Sequence, residues 1–207
     1  MTQKQSYMSV TEVLYHGEKT FFYTQESAKR GTDVHNICEE SCQRICGLTR
    51  ERNISRSDII HQTKQYVYES NDLKDEQPET NYMNSFFRWA EITNPVPHLS
   101  EKRLFYDKKK ITGKPDFVGY MNGQPGIGVI DWKTSAAFNP LWRCQICMYA
   151  FLLKTNGIPI NWGASVRLRR DGKTALFNLI FSGEQRRQLM YVNNVRYFFN
   201  KYKNIRS

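Results

Sequence analysis

Long apolar runs are missing from this chain. The longest, Ile146 to Leu153, is eight residues, and a helix that crosses a bilayer needs about twenty. Met1 to Tyr7 is polar, so neither a secretory signal nor a membrane partner is expected. Cysteine is scarce, five in 207 residues, with none after Cys147. Without a secretory signal, five cysteines point to a reducing, intracellular compartment rather than a disulfide scaffold; cytoplasm, nucleoid and organelle all fit. Acidic residues are outnumbered, 20 against 30 Lys plus Arg, for a net charge of +10. That surplus favours a polyanionic partner, of which nucleic acid is the usual one. Internal repeats are lacking too. What remains is 40% hydrophobic residues in a length that suits one domain, 1–207, with a good core.

Against that background one stretch stands out: Gly113-Lys114-Pro115-Asp116, then Asp131-Trp132-Lys133-Thr134. Between them lie two strand-like runs, Phe117 to Met121 and Ile127 to Ile130, around the turn Asn122-Gly123-Gln124-Pro125-Gly126. Side chains alternate along a strand, so Asp131 and Lys133 share a face and Trp132 takes the other. A hairpin brings Asp116, read as part of its first strand, across from Asp131. Two neighbouring carboxylates repel unless protonated or bridged by a cation. Hard oxygen donors suit Mg²⁺ or Mn²⁺, and such an ion activates water for phosphodiester hydrolysis. The lysine orients that water or neutralises developing charge. An exposed hairpin with a surface ion pair is the bland alternative, and Asp-x-Lys alone would not exclude it.

The pattern resembles the PD-(D/E)XK nuclease superfamily, with Pro115-Asp116 and Asp131-Trp132-Lys133 as the core motif. Gly31-Thr32-Asp33-Val34-His35 and Gln145-Ile146-Cys147-Met148-Tyr149 are similar to the Gly-Thr-x-x-His and Gln-x-x-x-Tyr motifs of its RecB-like exonuclease branch. Glu101 lies ahead of the first catalytic strand, where that branch often has a glutamate. The resemblance implies an α/β fold with a restriction-endonuclease-like core, a mixed central β-sheet flanked by helices. It also implies a metal-dependent DNA exonuclease of recombination, repair or DNA maintenance. Asp116 and Asp131 would bind the metal, aided by His35 and the carbonyl of Trp132. Lys133 would position the water, Glu101 would support a second metal or the substrate, and Gln145 and Tyr149 would line the site. The expected substrate is DNA with free ends, single- or double-stranded. A recombination or single-strand-binding protein is the partner class that fits. A structure-specific or restriction-type endonuclease on the same scaffold, or an inactive DNA-binding module, are the rivals.

The rest of the chain frames that core. Ser9-Val10-Thr11-Glu12 reads as a capping box opening a short helix that ends at His16 to Lys19. Thr32 reads as the N-cap of a helix ending at Gly47. His35, Cys38, Cys42 and Cys46 share one face of it. We read the cysteines as buried apolar residues. Some RecB-like nucleases hold an iron–sulfur cluster through cysteines near the C-terminus; none lies there in this chain, so no cluster is expected. His16, His61 and His98 are read as structural. Helices over 52–69, with Ile59, Ile60, Tyr66 and Val67 inward, and over 82–92 are expected to form a cap, about 52–95. Asn71 to Glu79 reads as a loop, and Pro95 and Pro97 as stops. Glu101 to Asp107 reads as a strand followed by the turn Lys108 to Lys110, either solvated or touching phosphate. Asn139 to Lys154 reads as a buried crossover helix, Trp162 to Phe181 as a hairpin about Asp171-Gly172. A last helix runs to Lys203 with Leu189, Val192, Phe199 and Tyr202 inward and Arg186, Arg187, Arg196 and Lys203 in solvent.

Overall fold

The computed structural model describes residues 6–17, 24–50, 54–75, 77–100, 102–183 and 185–206. Strand β1 (Met8–Ser9) leads into helix α1 (Val10–Tyr15). Ser9 and Glu12 close the expected capping box from both sides. Three helices follow: α2 (Gln25–Thr49), α3 (Arg56–Ser70) and α4 (Pro78–Thr93). Then come β2 (Val96–Ser100), β3 (Leu104–Tyr106), a 3₁₀ turn at Asp107–Lys109, β4 (Ile111–Gly113), β5 (Phe117–Tyr120) and β6 (Gly128–Lys133). Helix α5 (Leu141–Thr155), β7 (Trp162–Arg167), β8 (Leu176–Phe181) and α6 (Gln185–Arg206) complete the chain.

The main sheet has the order β2-β5-β6-β7-β8. Only β6 and β7 among its neighbours run parallel. A parallel pair needs a crossover of a dozen or more residues, and α5 supplies it. The architecture is therefore α/β with a mixed central sheet flanked by helices, as expected, and a small second sheet β1-β4-β3.

Alternation along β5 and β6 divides the core in two. Phe117, Ile130 and Trp132 face α2 and α4, where Phe86 and Trp89 hold the Trp132 indole edge-on at 5.2 and 5.0 Å. Helix α3, part of the expected cap, joins this layer through Ile60 and Val67. Val118 and Val129 point the other way, to α5, α1 and α6. The Trp162 ring of β7 lies across Gly128, where a Cβ would come within 1.9 Å of it, so only glycine fits.

Several expectations need correction. Helix α2 begins seven residues before Thr32, because Thr24 Oγ1 already caps it through the Ser27 N–H at 3.1 Å. Gly31-Thr32 lies inside the helix, with Thr32 Oγ1 donating to the Ala28 carbonyl. The helix also runs past Gly47, to Thr49. Pro78 starts α4 instead of prolonging a loop, since a proline at the first helical position gives up no intrahelical bond. Pro97 sits within a strand; β2 is a sheet edge with a register shift between Pro97 and Leu99, where a missing N–H is tolerated. Tyr66 is exposed, under the guanidinium of Arg44. Leu189 and Val192 are exposed too. Phe199 and Tyr202 do face inward, and Tyr191, Val195 and Phe198 join them, drawn by α5 and by the Phe181 ring 5.4 Å from Tyr191. Glu18, Lys19 and Glu101 lie outside the described residues, as do the side chains of Arg186 and Arg187.

Candidate active site

Asp116 is the residue just before β5, not part of a strand with Gly113, which belongs to the other sheet. The register pairs Phe117 with Ile130, so one step further Asp116 stands across from Asp131. This is the juxtaposition expected from the hairpin. Asp116 Oδ2 accepts a 2.7 Å bond from the Trp132 N–H, which fixes one carboxylate to the strand that bears the other. Asp131 and Lys133 lie two apart on β6, on the α5 side, and their side chains form an ion pair through Lys133 Nζ and Asp131 Oδ2. Both carboxylates are buried.

Helix α5 delivers the polar partner. Gln145 is 5% exposed, and a buried amide needs its bonds filled. Its Oε1 accepts from Lys133 Nζ at 2.9 Å, and its Nε2 donates to Asp131 Oδ1 at 3.3 Å and to the Tyr149 hydroxyl at 3.0 Å. Gln145 and Tyr149, one helical turn apart, thus act as a single bracket around the carboxylate–lysine pair. From α2, His35 Nδ1 comes within 3.3 Å of Asp116 Oδ2. Gly31, one turn earlier, passes Thr134 with room for a Cβ only at 3.4 Å from Oγ1. The Gly-Thr-x-x-His segment therefore meets the sheet from within a helix.

Burial raises the Asp131 carboxyl well above the usual range; Lys133 opposes that rise and Asp116 adds to it. Burial works against the Lys133 ammonium, but the Asp131 and Asp116 carboxylates outweigh it, so Lys133 stays charged at neutral pH. Burial likewise works against a charged His35, and Asp116 outweighs it, so the imidazole is raised. Tyr149 is pushed far up by burial, then by Asp131 and Asp116, and remains a neutral phenol.

Among the described residues no three His, Cys, Asp or Glu side chains stand grouped as a finished metal cage. The donor chemistry nonetheless fits a hard divalent cation: two buried, register-paired carboxylates and an imidazole beside one of them.

Two contacts were not legible in the sequence. Thr11 of α1 comes up beside the Tyr149 hydroxyl, and the Tyr82 hydroxyl donates to the Thr134 carbonyl at 3.1 Å. Neither stands in a motif; only the packing of α1 and α4 reveals them. Four cysteines are core, Cys38 and Cys42 on the α2 side of the sheet and Cys144 and Cys147 on the α5 side, while Cys46, expected to be buried with them, is part-exposed.

No family profile and no curated protein matches the chain. Solved structures do. The alkaline exonuclease LHK-Exo from Laribacter hongkongensis is 12% identical over 96% of this chain and 88% of its own, with a TM-score of 0.38. The same exonuclease in complex with dAMP is 11% identical over 81% of this chain and 91% of its own, with a TM-score of 0.34. Among the described residues no helix is long and apolar enough to cross a membrane.

Proposed function

We propose that this chain is a divalent-metal-dependent DNA nuclease that hydrolyses phosphodiester bonds from a free end, in recombination, repair or maintenance of DNA. The observation that carries this reading is the convergence of Asp116, Asp131 and Lys133 at one end of the central sheet, bracketed by Gln145. Asp116 and Asp131 would hold Mg²⁺ or Mn²⁺, with His35 and the Trp132 carbonyl beside them. The ion, when bound, supplies an acidified water and a counter-charge for the phosphate.

The chain's own groups do the rest. Lys133 is held as an ammonium by the Asp131 and Asp116 carboxylates. It donates hydrogen bonds from Nζ, to the attacking water or to the phosphate oxygens as charge builds there. Gln145 Oε1 gives that ammonium a second acceptor beside Asp131 and so sets its direction. The Tyr149 hydroxyl, a neutral acceptor, holds the Nε2 end of the Gln145 amide in place. A net charge of +10 gathers the polyanion without reading its sequence.

The test is end-labelled linear DNA beside its covalently closed circle, each with Mg²⁺ or Mn²⁺. Loss of label from the linear form alone, abolished by EDTA and by Asp131→Asn, supports the proposal. Equal cutting of the circle hands the case to an endonuclease. Full activity in EDTA removes the metal from the mechanism.

A further inference from the structure

The loop between β6 and α5 leaves the site carrying an aromatic ring into solvent. Phe138 is 40% exposed, and single exposed apolar residues are ordinary. This one is held in place. The Tyr82 hydroxyl donates to Thr134 O, Arg167 Nη1 donates to Ala136 O, and Ser135 Oγ donates to Ala137 O. On the helix side, the Leu141 N–H donates to Asn139 Oδ1 at 2.9 Å. The ring packs edge-on against the buried Trp142 at 5.3 Å. Trp142 in turn lies 5.6 Å beneath Lys133 Nζ. The exposed Arg143 sets its guanidinium 5.2 Å over the Phe138 ring.

We propose that Phe138 is a stacking platform for an unpaired nucleobase of a single-stranded or frayed DNA end, with Arg143 taking the phosphate next to it. The inference rests on the nuclease reading and names the substrate feature that this site selects. Single-stranded DNA offers both things the pair can bind, a flat π-face and an adjoining negative charge. A paired base inside a duplex has its faces already stacked. Two contacts in series separate the ring from the Lys133 ammonium, so a base on Phe138 belongs to the nucleotides flanking the cleaved bond. The anchored loop means little ordering is left to be lost on binding. Phe138 and Arg143 are thus positioning residues: they touch substrate away from the reacting atoms and set affinity rather than the rate of the bound complex.

The test uses the full chain carrying Asp131→Asn, which binds without cutting, and a short single-stranded oligonucleotide with 2-aminopurine near its terminus. Stacking on Phe138 quenches the 2-aminopurine. Phe138→Ala should weaken binding on the order of tenfold, the usual scale for losing one base–aromatic stack, and should abolish the quench. Phe138→Trp should restore both. Phe138→Leu keeps apolar bulk over Trp142 but has no flat π-face, so it should melt like the parent and still lose the quench. Arg143→Gln should lower the salt slope of binding by about one. In cleavage-competent protein, Phe138→Ala should raise KM for single strands and leave kcat within about twofold, consistent with a group that binds equally before and at the transition state. Unchanged affinity and quench in Phe138→Ala and Phe138→Leu overturn the platform while the nuclease reading stands. A parent protein that binds no DNA overturns both.

Discussion

Replacing Gln145 by leucine isolates what the bracket does. Leucine fills nearly the same volume, so no cavity opens. Three hydrogen bonds vanish, two of them to charged groups, Lys133 and Asp131. Such bonds are worth about 1.5–3 kcal/mol each when well made. The Asp131 bond is long at 3.3 Å, and burying an apolar side chain returns part of the loss. The net expectation is a destabilisation of about 2 kcal/mol, a fall in Tm of roughly 4–8 °C for a domain of this size. Activity should suffer more. Without Gln145 Oε1 the ammonium keeps only its Asp131 contact and loses the second acceptor that fixes where Nζ points. A displacement near 1 Å at such a group costs on the order of a hundredfold. Single-turnover cleavage of end-labelled DNA with Mg²⁺, beside a thermal melt, measures both. If Gln145 acts through Lys133, the losses are non-additive, and Gln145→Leu adds little once Lys133→Ala is in place. Rate losses that multiply in full would refute this account of the bracket, as would normal kcat in Gln145→Leu.

Three further outcomes follow from the same geometry. Mg²⁺ at about a hundred times its dissociation constant should stabilise the native chain by about 2.7 kcal/mol, seen as a melting shift of roughly 5–10 °C; Asp131→Asn should lose that shift, and an equal shift in the variant would place the ion elsewhere. Gly128→Ala drives a Cβ to 1.9 Å from the Trp162 ring and should cost about 3 kcal/mol or more, so a variant that melts like the parent would disprove the close approach. Burial pushes the Cys38, Cys42, Cys144 and Cys147 thiols up, away from the reactive thiolate; a thiol reagent at pH 8 should label about one group, the part-exposed Cys46, before denaturation and five after it, and chain purified without oxygen should be colourless.

How much of this was legible depended on how local the signal was. The hairpin of β5 and β6 was, because two turn-forming glycines, strand alternation and a fixed spacing between Asp116 and Asp131 determine its register together. Gln145 and Tyr149 were legible as a pair because four residues make one helical turn. The start of α2 was not: Gly31-Thr32 imitates a helix start, while the true cap, Thr24, lacks a capping box to announce it. The edge strand β2 hid behind Pro95 and Pro97, since only the sheet reveals that an edge needs no N–H on its outer side. The stripe of α6 was legible only in part, Phe199 and Tyr202 inward as expected but Leu189 and Val192 exposed, for a related reason. Its apolar residues lie nearly all round, and which of them face inward is decided by α5 and β8, far away in sequence.

The two-faced sheet explains why the site lies where it does. On the α2 and α4 side, Trp132 is locked between Phe86 and Trp89. Locking that indole fixes the backbone of β6, and with it the directions of Asp131 and Lys133 on the opposite face. The Trp132 N–H then fixes Asp116. One aromatic cluster thereby orients both carboxylates without touching either. Their mutual repulsion and their burial are held in check by Lys133, Gln145 and His35, each arriving from a different element. A buried like-charged pair kept at such cost has little to offer stability. On the proposed nuclease reading, that cost is repaid as preorganisation for a cation and a phosphate.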